Sequence, residues 1–322
     1  MSDPSLVRID ADRYAQEVLP MTASLWAGER DLDTYVRQTL ELAHSGYGRR
    51  HFSTVGLFDS GRLLASCKCY VREIVHGERT LKALGVGAVH TPEHFRRRGY
   101  ASTMLAMVMD REHERGTDLL YLFSDIAPAF YELLGFRGFP SRAISIRADD
   151  LPRARMPLKH ATTDDRAAIR RCFSRHERMR PWSFKRTPLF WEWLYLRMRH
   201  GSEHPGGDSL TFVLREGSRV DAYLCGARSP SHDAFIIDEI GLRDERQVEM
   251  LAPLLRAAAG DLRRIVGWLP PEPIRAWLPR GSVRRRKDAI FMVAPLTSAA
   301  HAWARSAHND SSGDALWSTD HI

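Results

Sequence analysis

The chain of 322 residues carries 47 lysines and arginines against 40 aspartates and glutamates, a formal charge of +7, with 43% apolar and 27% charged side chains. That balance excludes a disordered chain, a collagen-like repeat and a small disulfide framework. No apolar run approaches the roughly 20 residues of a membrane-spanning helix, and Met1-Ser2-Asp3-Pro4 lacks a basic-then-apolar leader, so a soluble, cytoplasmic chain with no membrane partner is expected.

Lysine occurs only at 68, 82, 159, 185 and 287, so arginine supplies nearly all the positive charge. The excess is modest and spread out, which gives little support to nucleic-acid binding. Cys67, Cys69, Cys172 and Cys225 form no metal-ligand spacing, and no metal is expected. Cys67 and Cys69 lie two apart in a strand-like run, on one face, as small apolar fillers.

The length suits two domains of about 150 residues each. In the first, Leu6–Ile9 reads as a short strand and Asp10 or Asp12 caps a helix running toward Trp26. Asp31–Ala43 carries an apolar stripe at Leu32, Tyr35, Leu40 and Leu42. Phe52–Phe58 and Arg62–Ile74 flank the hairpin signal Asp59-Ser60-Gly61, and Thr80–His90 follows the turn His76-Gly77-Glu78. A polar, arginine-rich loop then enters a helix to about Arg115, which Gly116 stops. A strand at Asp118–Phe123, a helix at Pro128–Leu134 and a closing strand at Arg142–Arg147 complete this half.

Residues 148–156 read as a linker, and 157–297 repeat the order of elements. Strands are predicted at Leu158–Ala161, Leu210–Leu214, Asp221–Ala227, Ala234–Ile240, Arg264–Leu269 and Ala289–Ala294. Helices fall at 163–173, at the tryptophan-rich 188–199 and at 245–259. The aromatic residues of 188–199 read as core or interdomain packing. Arg284-Arg285-Arg286-Lys287 reads as solvated surface. Residues 298–322 read as a flexible tail, with docking through Leu316, Trp317 and Ile322 the alternative.

The chemistry concentrates in Val86-Gly87-Ala88-Val89-His90-Thr91-Pro92-Glu93-His94-Phe95-Arg96-Arg97-Arg98-Gly99-Tyr100-Ala101-Ser102. A strand enters a loop, and the loop enters a helix N-terminus. Unpaired N–H groups and the positive end of the helix dipole make such a junction an anion site. Gly99 lets backbone approach a phosphate closely, Ala101 leaves the helix start uncrowded, and Arg96, Arg97 and Arg98 add positive charge. Gly85 and Gly87 within the strand signal a bulge or a close backbone approach.

These residues resemble the GCN5-related N-acetyltransferase (GNAT) superfamily. Its acetyl-coenzyme A loop, Arg/Gln-x-x-Gly-x-Gly/Ala, is matched by Arg96-x-x-Gly99-x-Ala101. Its later Tyr-x-x-x-Gly-Phe signature is matched by Tyr131-Glu132-Leu133-Leu134-Gly135-Phe136. The resemblance covers roughly residues 5 to 147 and implies an α/β fold, the GNAT mixed sheet, followed by a second, degenerate GNAT-like domain. Val89-His90-Thr91-Pro92, Gly99-Tyr100-Ala101 and Ser124-Asp125-Ile126 ahead of Phe130-Tyr131 are similar to fungal lysine N6-acetyltransferases. The tandem layout is similar to the "enhanced intracellular survival" aminoglycoside acetyltransferases, although the chain is too short for their additional C-terminal domain.

The resemblance implies acetyl-coenzyme A as co-substrate and a small-molecule amine as acceptor. The amides of residues 97 to 102, from Arg97 through Gly99 and Tyr100 to Ser102, are expected to hold the pyrophosphate. Backbone groups near Ala88, Val89 and Thr91 are expected to pair with the pantetheine arm and polarise the carbonyl. Tyr131 is the expected general acid for the thiolate, against the plain reading of an amphipathic core tyrosine. The base stays open among Asp125, which alternatively caps the helix at 128, Glu73, His90, and Asp320 or the terminal carboxylate of Ile322. The second half carries Gly241-Leu242-Arg243-Asp244-Glu245 where a phosphate loop is needed, so it is expected to wall the acceptor site without binding coenzyme A. The rival expectation is a non-catalytic acyl-coenzyme A sensor.

Overall fold

The computed structural model describes residues 3–125, 127–201, 208–272, 274–277, 279, 281–309 and 312–321. Strand β1 (Ser5–Ile9) leads into helices α1 (Ala11–Glu17), α2 (Leu19–Trp26), α3 (Leu32–His44) and α4 (Gly46–His51). The single helix expected up to Trp26 is two, because Pro20 sits in the first turn of α2 and cannot continue a ladder begun before it. Asp10 and Asp31 cap α1 and α3, accepting from the N–H of Arg13 at 2.8 Å and of Thr34 at 2.7 Å. The meander β2 (Phe52–Asp59), β3 (Arg62–His76) and β4 (Arg79–His90) follows, then α5 (Tyr100–Glu114), β5 (Leu119–Ser124), α6 (Pro128–Glu132), β6 (Arg137–Gly138) and β7 (Arg142–Arg147).

The second half runs β8 (Lys159–His160), α7 (Arg166–Glu177), β9 (Ser183–Phe184), α8 (Pro188–Arg199), β10 (Asp208–Glu216), β11 (Arg219–Ser229) and β12 (Ala234–Leu242). It continues with α9 (Leu251–Ala259), β13 (Arg264–Trp268), β14 (Val283–Arg285), β15 (Ile290–Pro295) and α10 (Ser298–Ala307).

Two mixed sheets result. The first has the order β1-β2-β3-β4-β5-β15-β6, with β9 added beside β3; the second has β14-β7-β13-β12-β11-β10-β8. The first half has therefore given β7 to the second sheet, and the second half β15 and the short β9 to the first. β7, which chain order places with the first half, pairs with β13, Ile146 opposite Ile265. β15, which chain order places with the second, pairs with β5, Met292 opposite Leu122. Both faces of β15 are buried, Phe291 and Val293 on one and Met292 and Ala294 on the other, as an interior strand requires.

Successive residues of a strand point to opposite faces, so the first sheet has two distinct surfaces. On one, Met104, Leu105 and Val108 of α5 pack against Cys67, Cys69, Val86, Leu120, Leu122 and Met292. On the other, Tyr121 and Phe291 meet Trp182, Phe184 and Trp303. The cysteines fill space as expected; all four are buried and unbonded, with the Cys67 and Cys69 sulfurs 4.0 Å apart. Helix α8 joins the halves, its Phe190 and Trp193 rings centred 5.3 and 5.4 Å from Tyr47.

Two expectations about the second half are corrected. Arg284 and Arg285 are exposed, but Arg286 is buried with its guanidinium 3.6 Å from the centre of the Trp268 ring, and burial lowers its pKa to about 10. Residues 312–321 are packed, with Leu316, Trp317 and Asp320 all buried. Ile322 lies outside the described residues.

Candidate active site

The parallel register of β4 and β5 runs from Ala83 opposite Leu119 to Gly85 opposite Tyr121 and stops there. β4 continues to His90 and β5 to Ser124 without pairing to each other, so the two strands splay. On the other side of β4 the register slips: Lys68 faces Gly87 and Ser66 faces His90, so Ala88 and Val89 together oppose one residue of β3. This is a β-bulge, and Ala88 takes the left-handed conformation it needs, φ 47°. The expected irregularity thus falls one residue beyond Gly87. Its effect is to turn the backbone of Val86–Val89 toward the gap, where main-chain donors and acceptors have no strand partner.

After the bulge, Thr91 is half-buried and its carbonyl accepts from Arg96 Nε at 3.2 Å, folding the loop back on itself. Arg96, Arg97 and Arg98 are exposed. The Arg98 guanidinium lies 5.9 Å from the Phe95 ring centre. Arg97 at φ 63° and Gly99 at φ 81° are both left-handed, and alternation of this kind curls successive N–H groups inward around an anion. Gly99 caps α5 with no side-chain bond. The first intrahelical bond is Thr103 N–H to the Gly99 carbonyl at 2.9 Å, so the amides of Tyr100, Ala101 and Ser102 are the orphan donors of the helix start. Tyr100 packs its ring edge-on to Phe95 at 5.9 Å. The arrangement fits a diphosphate on its own terms: open left-handed backbone, free amides, the positive end of a 15-residue helix and three cationic side chains.

Tyr131 stands on α6, under the same sheet face as α5. The motif around it has a local cause. Gly135 at φ 88° reverses the chain, so the Tyr131 carbonyl accepts from the N–H of both Leu134 (3.0 Å) and Phe136 (3.1 Å). Phe136 is buried and its ring lies edge-on to Tyr131, 5.9 Å between centres. The tyrosine is fixed from below, and its hydroxyl takes no hydrogen bond among the described residues. Burial, aided by the nearby Cys67 and Asp125, pushes its pKa up to about 12.

The candidate bases are mostly engaged elsewhere. Asp125 is exposed, and it does not cap α6: that helix is capped by Ala127 without a side-chain bond. Its Oδ1 instead accepts from Ala289 N–H at 3.1 Å, at the start of β15. Glu73 is paired with Lys185 at 2.7 Å. His90 is buried beside Trp26, and burial, reinforced by Arg96, lowers its pKa.

Asp320 is 1% exposed and spent on a buried ion cluster. Arg186 reaches it at 2.9 Å and Glu239 at 2.7 Å, and Arg72 of β3 lies 3.9 Å away. Tyr223 donates to Glu239 at 2.6 Å; Thr319 also donates to Glu239 and accepts from Arg186 at 2.8 Å. Burial alone would raise the Asp320 pKa, but Arg186, Arg72 and Arg180 outweigh it and hold the carboxyl below its usual range. Its stabilising effect is therefore present above the unfolded value near pH ~3.9 and is lost as pH falls through the lower folded value. Asp320→Asn, which takes the charged partner from the buried Arg72 and leaves Arg186 with Glu239 alone, is expected to cost about 3–5 kcal/mol. Urea unfolding at pH 7 reads this, and a loss below 1 kcal/mol contradicts it.

The second half has its own splay. β12 and β13 pair in parallel from Ala234–Arg264 to Ile237–Gly267, β12 bulges at Asp238 between Ile237 and Glu239, and β12 runs on to Leu242. Here the chain's own residues 318–320 close the gap. Ser318 Oγ donates to the Asp238 carbonyl at 3.2 Å and its carboxylate at 2.8 Å. The helix that follows begins only at Leu251, with no side-chain cap, in place of the glycine-capped start of α5.

Sequence reading missed one cluster entirely. Phe123, on the face of β5 opposite to Leu122 and Tyr131, meets Trp268 at 5.7 Å and His321 at 5.0 Å between ring centres. Arg197 NH1 donates to the His321 carbonyl at 2.6 Å. These residues are far apart in the sequence, and no local pattern joins them.

Residues 13–138 match the family model of an acetyltransferase (GNAT) domain. No curated protein matches the sequence. A GCN5-related N-acetyltransferase from Anabaena variabilis superposes with a TM-score of 0.71 at 12% identity, over 92% of this chain and 74% of that one. One from Kribbella flavida gives 0.66 at 18% identity, over 92% and 73%. A tandem GNAT protein from the clavulanic acid biosynthesis pathway gives 0.56 at 10% identity, over 92% and 99%. Residues 13–138 thus match an acetyltransferase (GNAT) domain, and the chain folds into two GNAT-like mixed sheets.

Proposed function

We propose that the protein transfers an acetyl group from acetyl-coenzyme A to a primary amine of a small molecule, by direct attack of the amine on the thioester. The observation that carries this reading is the set of orphan amides at Tyr100–Ser102 beside the splay where β4 and β5 stop pairing, with Tyr131 packed under the same sheet face as α5. The amides and Arg96–Arg98 hold the pyrophosphate, and the β4 edge aligns the pantetheine arm by main-chain pairing. The amide nearest the bulge at Ala88–Val89 donates to the thioester oxygen as negative charge grows there. When bound, acetyl-coenzyme A supplies the activated acyl carbon and a leaving thiolate.

Tyr131 gives that thiolate its proton. A phenol pushed to about 12 stays fully protonated through the working pH range. A buried setting likewise disfavours the thiolate, which favours passage of the proton to sulfur. Tyr131→Phe is expected to lower kcat about 100-fold while coenzyme A binding changes little. An unchanged kcat leaves the tyrosine a packing residue.

Free lysine or an aminoglycoside-like amine is the proposed acceptor class, ahead of a lysine in a protein. The test is thiol release from acetyl-coenzyme A with a panel of such amines. Binding of coenzyme A without release for any amine, including a lysine peptide, would replace the enzyme by an acyl-coenzyme A sensor.

A further inference from the structure

We infer that His321 is the residue that takes the proton from the attacking amine, an assignment that rests on the acetyltransferase reading above. Three observations place it. First, Leu122 and Phe123 are consecutive on β5 and point to opposite faces. Tyr131 packs with the Leu122 side, whereas the His321 ring lies against Phe123, 5.0 Å between centres. Proton donor and proton acceptor thus stand on opposite faces of β5, at the end of the strand where it parts from β4.

Second, the ring is held by more than its own contacts. Residues 318–320 fill the splay of the second half through Ser318 on Asp238 and Asp320 on Arg186, and Arg197 grips the His321 carbonyl at 2.6 Å. Trp268 of β13 closes the far side, its ring centre 6.2 Å from that of His321. The half without a phosphate loop therefore serves as the clamp that presents this imidazole.

Third, the neighbouring carboxylates are committed to structure: Asp320 to Arg186 and Arg72, Asp125 to the Ala289 amide, Glu73 to Lys185. An amine is an ammonium ion at neutral pH and cannot attack until it loses a proton. Imidazole is the side chain that exchanges one there. The charged groups recorded beside it are Arg197 at its carbonyl, Arg286 over the Trp268 ring that it faces, and the preceding residue Asp320 in its ion cluster. In the step, the amine nitrogen bonds to the carbonyl carbon and the carbon–sulfur bond breaks. His321 takes the ammonium proton before the attack and passes it to water; the thiolate takes the Tyr131 proton, and the second proton of the nitrogen, shed as the amide forms, returns Tyr131 to its neutral form through water.

The test uses the full chain with an amine that the wild type acetylates. His321→Ala and His321→Gln are expected to lower kcat/KM about 100-fold with coenzyme A binding unchanged by calorimetry. In both, the fall in rate toward acid pH moves upward toward the pKa of the amine itself, and millimolar imidazole restores part of the alanine variant's rate. Variants within threefold of wild type, with the acid limb in place, overturn the role of His321 alone. Loss of coenzyme A binding in both variants makes the residue structural and also overturns it. A wild type that releases no thiol with any amine overturns the acetyltransferase reading and this role together.

Discussion

Gly99→Glu is expected to abolish measurable heat on titration with coenzyme A while leaving a folded protein. Stability and binding separate here for a geometric reason. Gly99 adopts φ 81°, and a Cβ built on it meets nothing within 4 Å. The substitution therefore carries only the left-handed backbone penalty, about 1–2 kcal/mol, or a fall of a few degrees in Tm. The new carboxylate, by contrast, projects into the cradle of orphan amides at Tyr100–Ser102, where it takes the donors and repels a diphosphate. Gly99→Ala carries the same backbone penalty without the charge and should retain weakened binding. Heat from Gly99→Glu equal to that of wild type would remove the anion site from the start of α5, and with it the basis for reading this chain as a coenzyme A protein.

Local physics was legible in the sequence, and long-range pairing was not. The cap at Asp10, the turns at Gly61 and Gly77 and the helix stop at Gly116 follow from φ values and orphan backbone groups that a few adjacent residues determine. The junction of loop and helix before α5 was legible for the same reason: Arg97, Gly99 and Tyr100 build it within four positions. Tyr131 could be singled out because Gly135 and Phe136, close by, fix its backbone and ring. The exchange of β7 and β15 could not be read. Both are short apolar strands that suit an interior antiparallel slot in either sheet, and nothing in Arg142–Arg147 or Ile290–Pro295 says which. The last residues escaped as well. Ser306–Asp314 is polar in composition, and the packing of 312–321 comes from Asp314 accepting the Arg142 amide at 2.7 Å and from the Arg186 cluster, partners more than 100 residues distant. The role proposed for His321 depends on those contacts.

Residues 1–147 expressed alone are expected not to fold, although they contain the whole matched domain at 13–138. In the intact chain β15 lies between β5 and β6, hydrogen-bonded to β5 along six residue pairs from Ile290–Ser124 to Pro295–Leu119. Without it, β5 becomes an open apolar edge beside the splay, and β6 has no sheet to join. Tyr121 loses the cover of Phe184 and Phe291, at 4.6 and 5.9 Å between ring centres, and Tyr47 loses Phe190 and Trp193. β7 would be left with no partner of its own, since both of its neighbours, β13 and β14, belong to the second half. Uncovering Tyr121 and Tyr47 at about 1.5–3 kcal/mol each, on top of the lost strand pairing, removes much of the ~5–15 kcal/mol net stability of a typical domain. The fragment should be insoluble or lack a cooperative thermal transition, and co-expression with 148–322 should recover soluble protein. A monomeric 1–147 that melts cooperatively would show that the exchanged strand is dispensable. If it is not, the second half serves a purpose that needs no second coenzyme A site: it completes the first sheet through β15 and packs the chain's last residues against Phe123 of β5.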